Sequence, residues 1–316
     1  MRSLRYQIEN LYINILLKGD NMINKILAVI SIVLFSSAIF AAEITPYGAF
    51  NYKYSHDENT SGVAYNKLED NGSKLGLNFS EPSVEGSSLG AFAKLELGLD
   101  TDATTDSLTN RLSYVGLSFD TSKVAVGRQS HPFTDNIGGA TNIFNVYGSN
   151  ADQSYAARSS QSLSFSTTQS GLTLDSLAIV DGSSSNSDAF DEFEGTLSAT
   201  LFGSDISVGY ADDVNNDITY YGGSVTTNVG LLTLGTSYTV KDNAGSTADV
   251  TGIEATASIS LFTVGYQDLE STGNYYTLGV AKEIVSSLTV YGEGQMSDLD
   301  SGTDTQSWSL GAKYSF

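Results

Sequence analysis

Arg111, Arg128 and Arg158 are the only arginines after residue 41, and their spacing is the feature that most suggests chemistry. Each lies in a short segment of alternating apolar and polar residues, and the three segments are consecutive. Neighbouring strands lie ~4.8 Å apart, so three guanidinium groups at similar depth make one basic patch on a sheet face. Like charges gather only where water or carboxylates face them. The longest break in the alternation, His131 to Ser154, falls between Arg128 and Arg158 and carries Asp135 and Asp152. Lys53, Lys74 and Lys94, on the three preceding segments, extend the basic side. After Arg158 only Lys241, Lys282 and Lys313 follow.

This constellation is suited to electrostatics rather than to covalent work. An activated nucleophile needs a base within reach, and the only histidines, His56 and His131, fall in expected loops outside any local motif. There is no cysteine, so thiol zinc sites and disulfides are excluded. No phosphate-cradling glycine loop or basic nucleic-acid patch occurs. The whole chain has a formal charge of −21. Without residues 1–41 it loses Arg2, Arg5, Lys18 and Lys25 against Glu9 and Asp20, which gives −23. Such a surface repels nucleic acid. The reading is a non-enzyme with no cofactor, no metal site and no nucleic-acid partner; the acidic pairs Asp212 with Asp213 and Asp298 with Asp300 read as solvated loop charge.

The elements that must position these charges are strands. Leu89, Ala91, Ala93, Leu95, Leu97 and Leu99 share one face, with Lys94 and Glu96 on the other. Phe193 to Leu201 and Ile253 to Leu261 alternate in the same way against glutamates, threonines and serines. The closing segment places Trp308, Leu310, Ala312, Tyr314 and Phe316 on one face and Ser307, Ser309, Gly311, Lys313 and Ser315 on the other. One apolar face and one small, polar or charged face fit hydrocarbon outside and water inside.

Residues 22–41 have the form of a secretory signal peptide, one lysine followed by an apolar run and small residues, with cleavage expected after Ala41 and Ala42 as the next choice. Residues 1–21 read as an upstream extension, and 42–316 as the mature domain. After residue 41 no apolar stretch suffices for a spanning helix, so any membrane crossing must be a closed sheet, because lipid cannot satisfy unpaired backbone groups. Tight connections are expected near Val84–Ser88, Asp120–Lys123, Thr168–Gly171, Phe202–Asp205, Asn228–Gly230, Ser260–Phe262 and Glu283–Ser287. Longer ones are expected at His56–Gly72, Asp100–Asn110, His131–Ser154, Asp181–Asp191, Asp212–Asp217, Lys241–Asp249, Asp268–Gly273 and Ser297–Asp304. Seven short and eight long connections separate sixteen strands, with fourteen or eighteen as the alternatives if one hairpin, above all around Asn215 to Tyr221, is counted differently. The fold class is therefore all-β, a transmembrane antiparallel β-barrel with short periplasmic turns and longer extracellular loops. Tyr47, Tyr54, Phe119, Phe202, Tyr210, Phe262, Tyr266, Tyr276, Tyr314 and Phe316, near strand ends, are expected to form two interfacial girdles.

Four stretches resemble the general porins of Gram-negative outer membranes. They are Ile44–Gly48, Gly90–Glu96, Asn110–Leu117 followed by Val124–Gln129, and the terminal Tyr314-Ser315-Phe316. The resemblance implies a homotrimer of sixteen-stranded barrels, each pore narrowed by its third long loop folded into the lumen. It also implies passive diffusion of ions and small hydrophilic solutes across the outer membrane. Outer-membrane lipid and lipopolysaccharide would surround the barrel, and insertion machinery would read the C-terminal strand. Ala91, Ala93 and Ala312 are compatible with a trimer face. By the same resemblance Arg111, Arg128, Arg158, Lys53, Lys74 and Lys94 form the basic side of the constriction and Asp135 and Asp152 the acidic side. In the loop, Gly138 and Gly139 allow a tight turn, and Phe133, Ile137, Ile143 and Phe144 are expected to anchor it. The acidic outer loops favour weak cation preference. Two alternatives stay open: a channel specific for phosphate or a sugar, for which Tyr220, Tyr291 and Phe92 are a faint lumen ladder, and a secreted β-rich adhesin.

Overall fold

The computed structural model describes residues 43–59, 61–81, 88–102, 108–180, 190–245, 248–302 and 304–316. The expected upstream extension, signal peptide and cleavage point lie outside the described residues, as does most of the turn expected at Val84–Ser88.

The strands are β1 (Glu43–Glu58), β2 (Ala64–Asp70), β3 (Ser73–Glu81), β4 (Leu89–Leu99), β5 (Leu108–Phe119) and β6 (Ser122–Ser130). After the inward loop come β7 (Arg158–Gln169), β8 (Leu172–Ile179), β9 (Glu192–Leu201), β10 (Ser204–Asp213), β11 (Ile218–Val229) and β12 (Leu232–Asn243). The last are β13 (Val250–Ile259), β14 (Phe262–Leu269), β15 (Gly273–Val285), β16 (Leu288–Leu299) and β17 (Gln306–Ser315). From β3 onward each strand pairs with its neighbour in sequence, and β17 returns antiparallel to β1, from Ala49 opposite Ser315 to His56 opposite Trp308. The sheet is thus closed and has no edge to protect from lipid.

β2 and β3 pair with the same side of β1, β2 with Tyr52–Glu58 and β3 with Glu43–Ala49. They are two halves of one barrel strand, interrupted at Asn71 and Gly72, where Gly72 takes φ 84°. Counted so, the barrel has sixteen strands. The long first loop expected from His56 to Gly72 is therefore corrected: the ladder continues to Glu58 and resumes at Ala64. Above the lipid a ladder needs no apolar face, so polar sequence alone does not end a strand. For the same reason Asp212 and Asp213 still pair with Thr219 and Ile218.

The described tight turns are two-residue loops: Asp120-Thr121, Ser170-Gly171, Phe202-Gly203, Gly230-Leu231, Ser260-Leu261 and Ser286-Ser287. In Ser170-Gly171 and Phe202-Gly203 both residues have positive φ, 53° and 81° then 54° and 81°. This is the type I′ turn, whose twist matches that of the flanking strands.

The outward face is apolar and open. Val115, Leu117, Phe165, Leu197, Leu278 and Leu310 are all exposed. Phe119, Phe202, Phe262 and Phe316 crowd the short-turn rim, while Tyr54, Trp308, Tyr210 and Tyr276 lie toward the other, all exposed. Tyr47 departs from the expected girdle: its hydroxyl donates to Glu96 Oε2 at 2.9 Å, so it points into the barrel. Inside, buried polar residues outnumber buried apolar ones. The one apolar cluster among the described residues joins Phe133 and Ile137 of the inward loop to Ala211 and Tyr220 of the wall.

Candidate functional site

The connection from β6 to β7 begins with a short helix, α1 (Pro132–Asn136), and a 3-10 turn over Gly138–Ala140. Pro132 occupies the first turn of α1, where a missing N–H costs nothing. The loop's contacts define its path. Asn136 Nδ2 donates to Asp175 at 3.1 Å and to Thr196 at 2.7 Å, on β8 and β9. Thr141 donates to Glu254 Oε2 on β13 at 2.5 Å, and Gln153 N to Thr239 on β12 at 2.9 Å. Asn150 reaches Gln267 on β14 at 2.7 Å, and Tyr147 OH reaches Asp57 on β1 at 3.0 Å. A segment leaving between β6 and β7 touches these strands only by crossing the lumen. The third long loop is therefore folded inside, as the resemblance implied.

Two devices hold it there. The first is shape. Phe133 is buried over Gly209 and Gly222, where a Cβ would lie 2.9 and 3.3 Å from its ring, and Phe144 sits over Gly265 and Gly279 at 2.7 and 3.1 Å. Side chains at these glycines would lift the aromatic anchors off the wall. Of the anchors expected from sequence, Phe133 and Ile137 are buried, Phe144 is half-buried on its glycines, and Ile143 is exposed. The second device is charge. Glu293, 5% exposed, accepts from Asn145 N at 2.5 Å and Asn145 Nδ2 at 3.0 Å through Oε1, and from Val146 N at 2.9 Å and Tyr147 N at 3.2 Å through Oε2. Three successive backbone N–H groups wrapped around one carboxylate form an anion nest. Glu254 Oε1 likewise accepts from Ala151 N at 3.2 Å.

Arg111, Arg128 and Arg158 stand on β5, β6 and β7, three adjacent barrel strands. Arg128 pairs in register with Ser113, and Ser130 with Arg158, so the three lie within about two residue steps of one another along the strands. Two of them sit at register shifts. Glu96 is opposite Leu112 while Leu97 is opposite Asn110, which leaves Arg111 as the extra residue of a bulge. The β6–β7 ladder shifts between Gly127 and Gln129, around Arg128. By strict alternation Arg111 would share the lipid face with Val115 and Leu117. The bulge re-aims it to the aqueous side, where its Nε donates to Glu96 Oε1 at 2.7 Å.

Glu96 is the hub of this wall. Buried at 2% exposure, it takes Arg111 on one oxygen and Lys74 at 3.2 Å and the Tyr47 hydroxyl on the other. Lys94 lies over the Tyr47 ring, 5.1 Å from its centroid. Lys53 pairs with Glu69 at 3.3 Å, and Lys67 pairs with the same carboxylate. Arg128 donates to Asn110 O at 2.9 Å and Ser160 Oγ at 3.1 Å, both neutral. Arg158 interacts electrostatically with Arg111, Arg128, Glu96 and Asp135. Asp135 is exposed and lies in the field of Arg158. Asp152 is placed differently. Its Oδ2 lies against Gly138, 2.6 Å from where a Cβ would stand, and it accepts from Ser154 Oγ at 3.2 Å. It belongs to the loop's own packing, and burial pushes its carboxyl above the usual range.

Sequence reasoning placed Glu96, Glu194 and Glu254 on the inner face without assigning them roles, and it did not single out Glu293. Glutamates at inward positions of otherwise Ser- and Thr-rich strands are the signal that was available. Tyr220 and Tyr291, read as a faint lumen ladder, are buried; Tyr291 OH donates to Asn51 Oδ1 at 2.9 Å.

Residues 28–316 match the family model described as Gram-negative porin. No curated protein matches. Among solved structures the chain resembles the anion-selective porin from Comamonas acidovorans, at 16% identity and TM-score 0.72, covering 87% of this chain and 100% of that one. It also resembles Salmonella typhi OmpF in complex with daunomycin, at 14% identity and TM-score 0.70, covering 87% and 98%. A loop L8 deletion mutant of OmpT from Vibrio cholerae aligns at 16% identity and TM-score 0.69, covering 88% and 100%.

Proposed function

The chain belongs to the Gram-negative porins, and from that premise we propose that it is a general diffusion porin with weak cation preference. Membership makes it an outer-membrane β-barrel channel for ions and small hydrophilic solutes, not an enzyme. The cation preference rests on how the wall's basic charge is compensated. Glu96 takes up Arg111 and Lys74, and Glu69 takes up Lys53 and Lys67, which halves the positive charge these four present, and the acidic excess of the chain outweighs what is left along the pore. Of the basic residues expected at the constriction, Arg128, Arg158 and Lys94 make no carboxylate ion pair among the described residues; Arg158 lies in the field of Asp135 of the inward loop, and the three oppose that excess locally, which keeps the preference weak. Arg111, Arg128, Arg158, Lys53, Lys74, Lys94 and Asp135 are accordingly assigned to the constriction. Asp152 is assigned to the loop's support.

The anion selectivity in the name of the Comamonas protein belongs to that protein. The reading as a channel specific for phosphate or a sugar is weakened, because Tyr220 and Tyr291 are enclosed and only Phe92 of the three lumen aromatics is partly exposed. Assembly as a homotrimer is part of this reading, with Ala91, Ala93 and Ala312 as small outward residues for close packing. So is recognition of the terminal strand by insertion machinery: Phe316 and Gly48 exchange backbone hydrogen bonds at 3.0 and 3.1 Å, sealing β17 to β1 at the chain's last residue. Zero-current potentials in a KCl gradient across planar bilayers test the selectivity. A modest potassium preference is expected, and chloride selectivity refutes it.

A further inference from the structure

We propose that His131, Glu192 and Glu194 form a binding site for one divalent transition-metal ion at the root of the inward loop. His131 immediately precedes α1, and its side chain does not cap that helix, so the imidazole turns to the wall instead. Glu192 and Glu194 alternate on β9 and therefore share its inward face. All three are enclosed, with exposures of 0%, 0% and 1%.

The geometry suits an ion. His131 Nδ1 lies 3.2 Å from Glu194 Oε2 and 3.5 Å from Glu192 Oε1, and one donor atom from each residue lies within 4.8 Å of the others. A tetrahedral ion with bonds of ~2.1 Å holds its ligands about 3.4 Å apart. These same atoms lack hydrogen bonds: His131 Nδ1, both oxygens of Glu192 and Glu194 Oε2. Four buried polar atoms without hydrogen bonds, on three side chains that each bring one donor atom within 4.8 Å of the others, are costly unless something binds there. Two enclosed carboxylates call for positive charge.

The surroundings orient the donors. With His131 Nε2 donating to Ser159 Oγ at 2.8 Å, Nδ1 presents a lone pair to the site, the usual outer-shell arrangement for a metal-bound imidazole. On β10, Ala211 stands opposite Glu194 and leaves room, and Asp213 opposite Glu192 is engaged by Asn216 at 2.7 Å. One imidazole and two carboxylates suit zinc, iron, manganese or cobalt. Calcium wants six to eight oxygens. A bound ion would tie the start of the loop to β9.

The test uses protein extracted from outer membranes in detergent, stripped with chelator, incubated with Zn²⁺ or Ca²⁺, desalted and analysed by elemental mass spectrometry. Wild type is expected to retain about one zinc per chain and only background calcium. Glu192→Gln with Glu194→Gln should reduce zinc to background while the barrel keeps its heat-modifiable gel mobility. Ser159→Ala keeps every ligand and decides the matter if the double variant does not fold, since losing the outer-shell partner should weaken zinc binding roughly tenfold. Background zinc in wild type overturns the proposal and leaves His131 as a proton-holding histidine between two carboxylates. Retention undiminished in the double variant, calcium held as well as zinc, or unchanged affinity in Ser159→Ala also overturns it.

Discussion

Replacing Glu293 by glutamine separates charge from shape in the seating of the inward loop. The two side chains are nearly isosteric, so the glycine seats and aromatic anchors are untouched. Each carboxylate oxygen of Glu293 takes two donors, Oε1 from Asn145 N and Nδ2 and Oε2 from Val146 N and Tyr147 N. Glutamine keeps one acceptor oxygen and turns an amide nitrogen toward the other pair, so two N–H groups face a donor. An enclosed donor left unsatisfied costs about 1–3 kcal/mol, so docking weakens by about 2–6 kcal/mol. The lower end already raises the ratio of undocked to docked loop by a factor of roughly 30. The barrel's own ladder is unaffected, so heat-modifiable gel mobility should stay that of wild type. Single-channel records of Glu293→Gln should show larger open-channel noise and a higher mean conductance. A folded variant whose conductance and noise match wild type would refute the assignment of the nest as an anchor.

Three further outcomes follow from the same geometry. Phe133→Ala removes a buried ring from its seat over Gly209 and Gly222, a change that typically costs about 3–5 kcal/mol; liposome swelling should show faster entry of a disaccharide, and an unchanged size dependence would count against Phe133 as an anchor. Glu96→Gln leaves Arg111 and Lys74 uncompensated. A unit charge ~10 Å from the pore axis acts with about 0.4 kcal/mol in water, roughly twofold on each ion in opposite senses, so the potassium-to-chloride permeability ratio should fall about fourfold; an unaltered zero-current potential would sink the hub assignment. Gly203→Ala places a Cβ at φ 81° and should destabilise the detergent-refolded barrel in urea by about 1–2 kcal/mol, whereas Ser286→Ala, in a turn without positive φ, should not.

Strand parity is local, so it is legible in the chain's own order of residues. Alternation of period two, Gly and Ser at turns, and the lack of a spanning helix after residue 41 are enough for an all-β closed barrel of sixteen strands. The placement of Arg111, Arg128 and Arg158 on consecutive strands follows from the same count. Local pattern misleads at strand ends. Polar sequence from His56 to Gly72 looks like loop but continues the ladder, because pairing outside the lipid does not depend on side-chain polarity.

What only the tertiary structure decided is which charge meets which. Asn145 and Glu293 are separated by 148 residues and Thr141 and Glu254 by 113, and no periodicity relates positions that meet across a lumen. The bulge at Arg111 breaks the very alternation from which sidedness is read, so a residue of lipid-facing parity ends on Glu96. Asp135 and Asp152 look equivalent in sequence, yet one faces Arg158 and the other packs on Gly138, because the loop's fold is set by its seats on the far wall. His131 reads as a loop histidine until β9 brings Glu192 and Glu194 against it. The sequence alone determined the barrel, since backbone pairing and lipid act on every residue in the same way. The pore's interior was decided by the one segment that leaves the pattern and crosses the lumen.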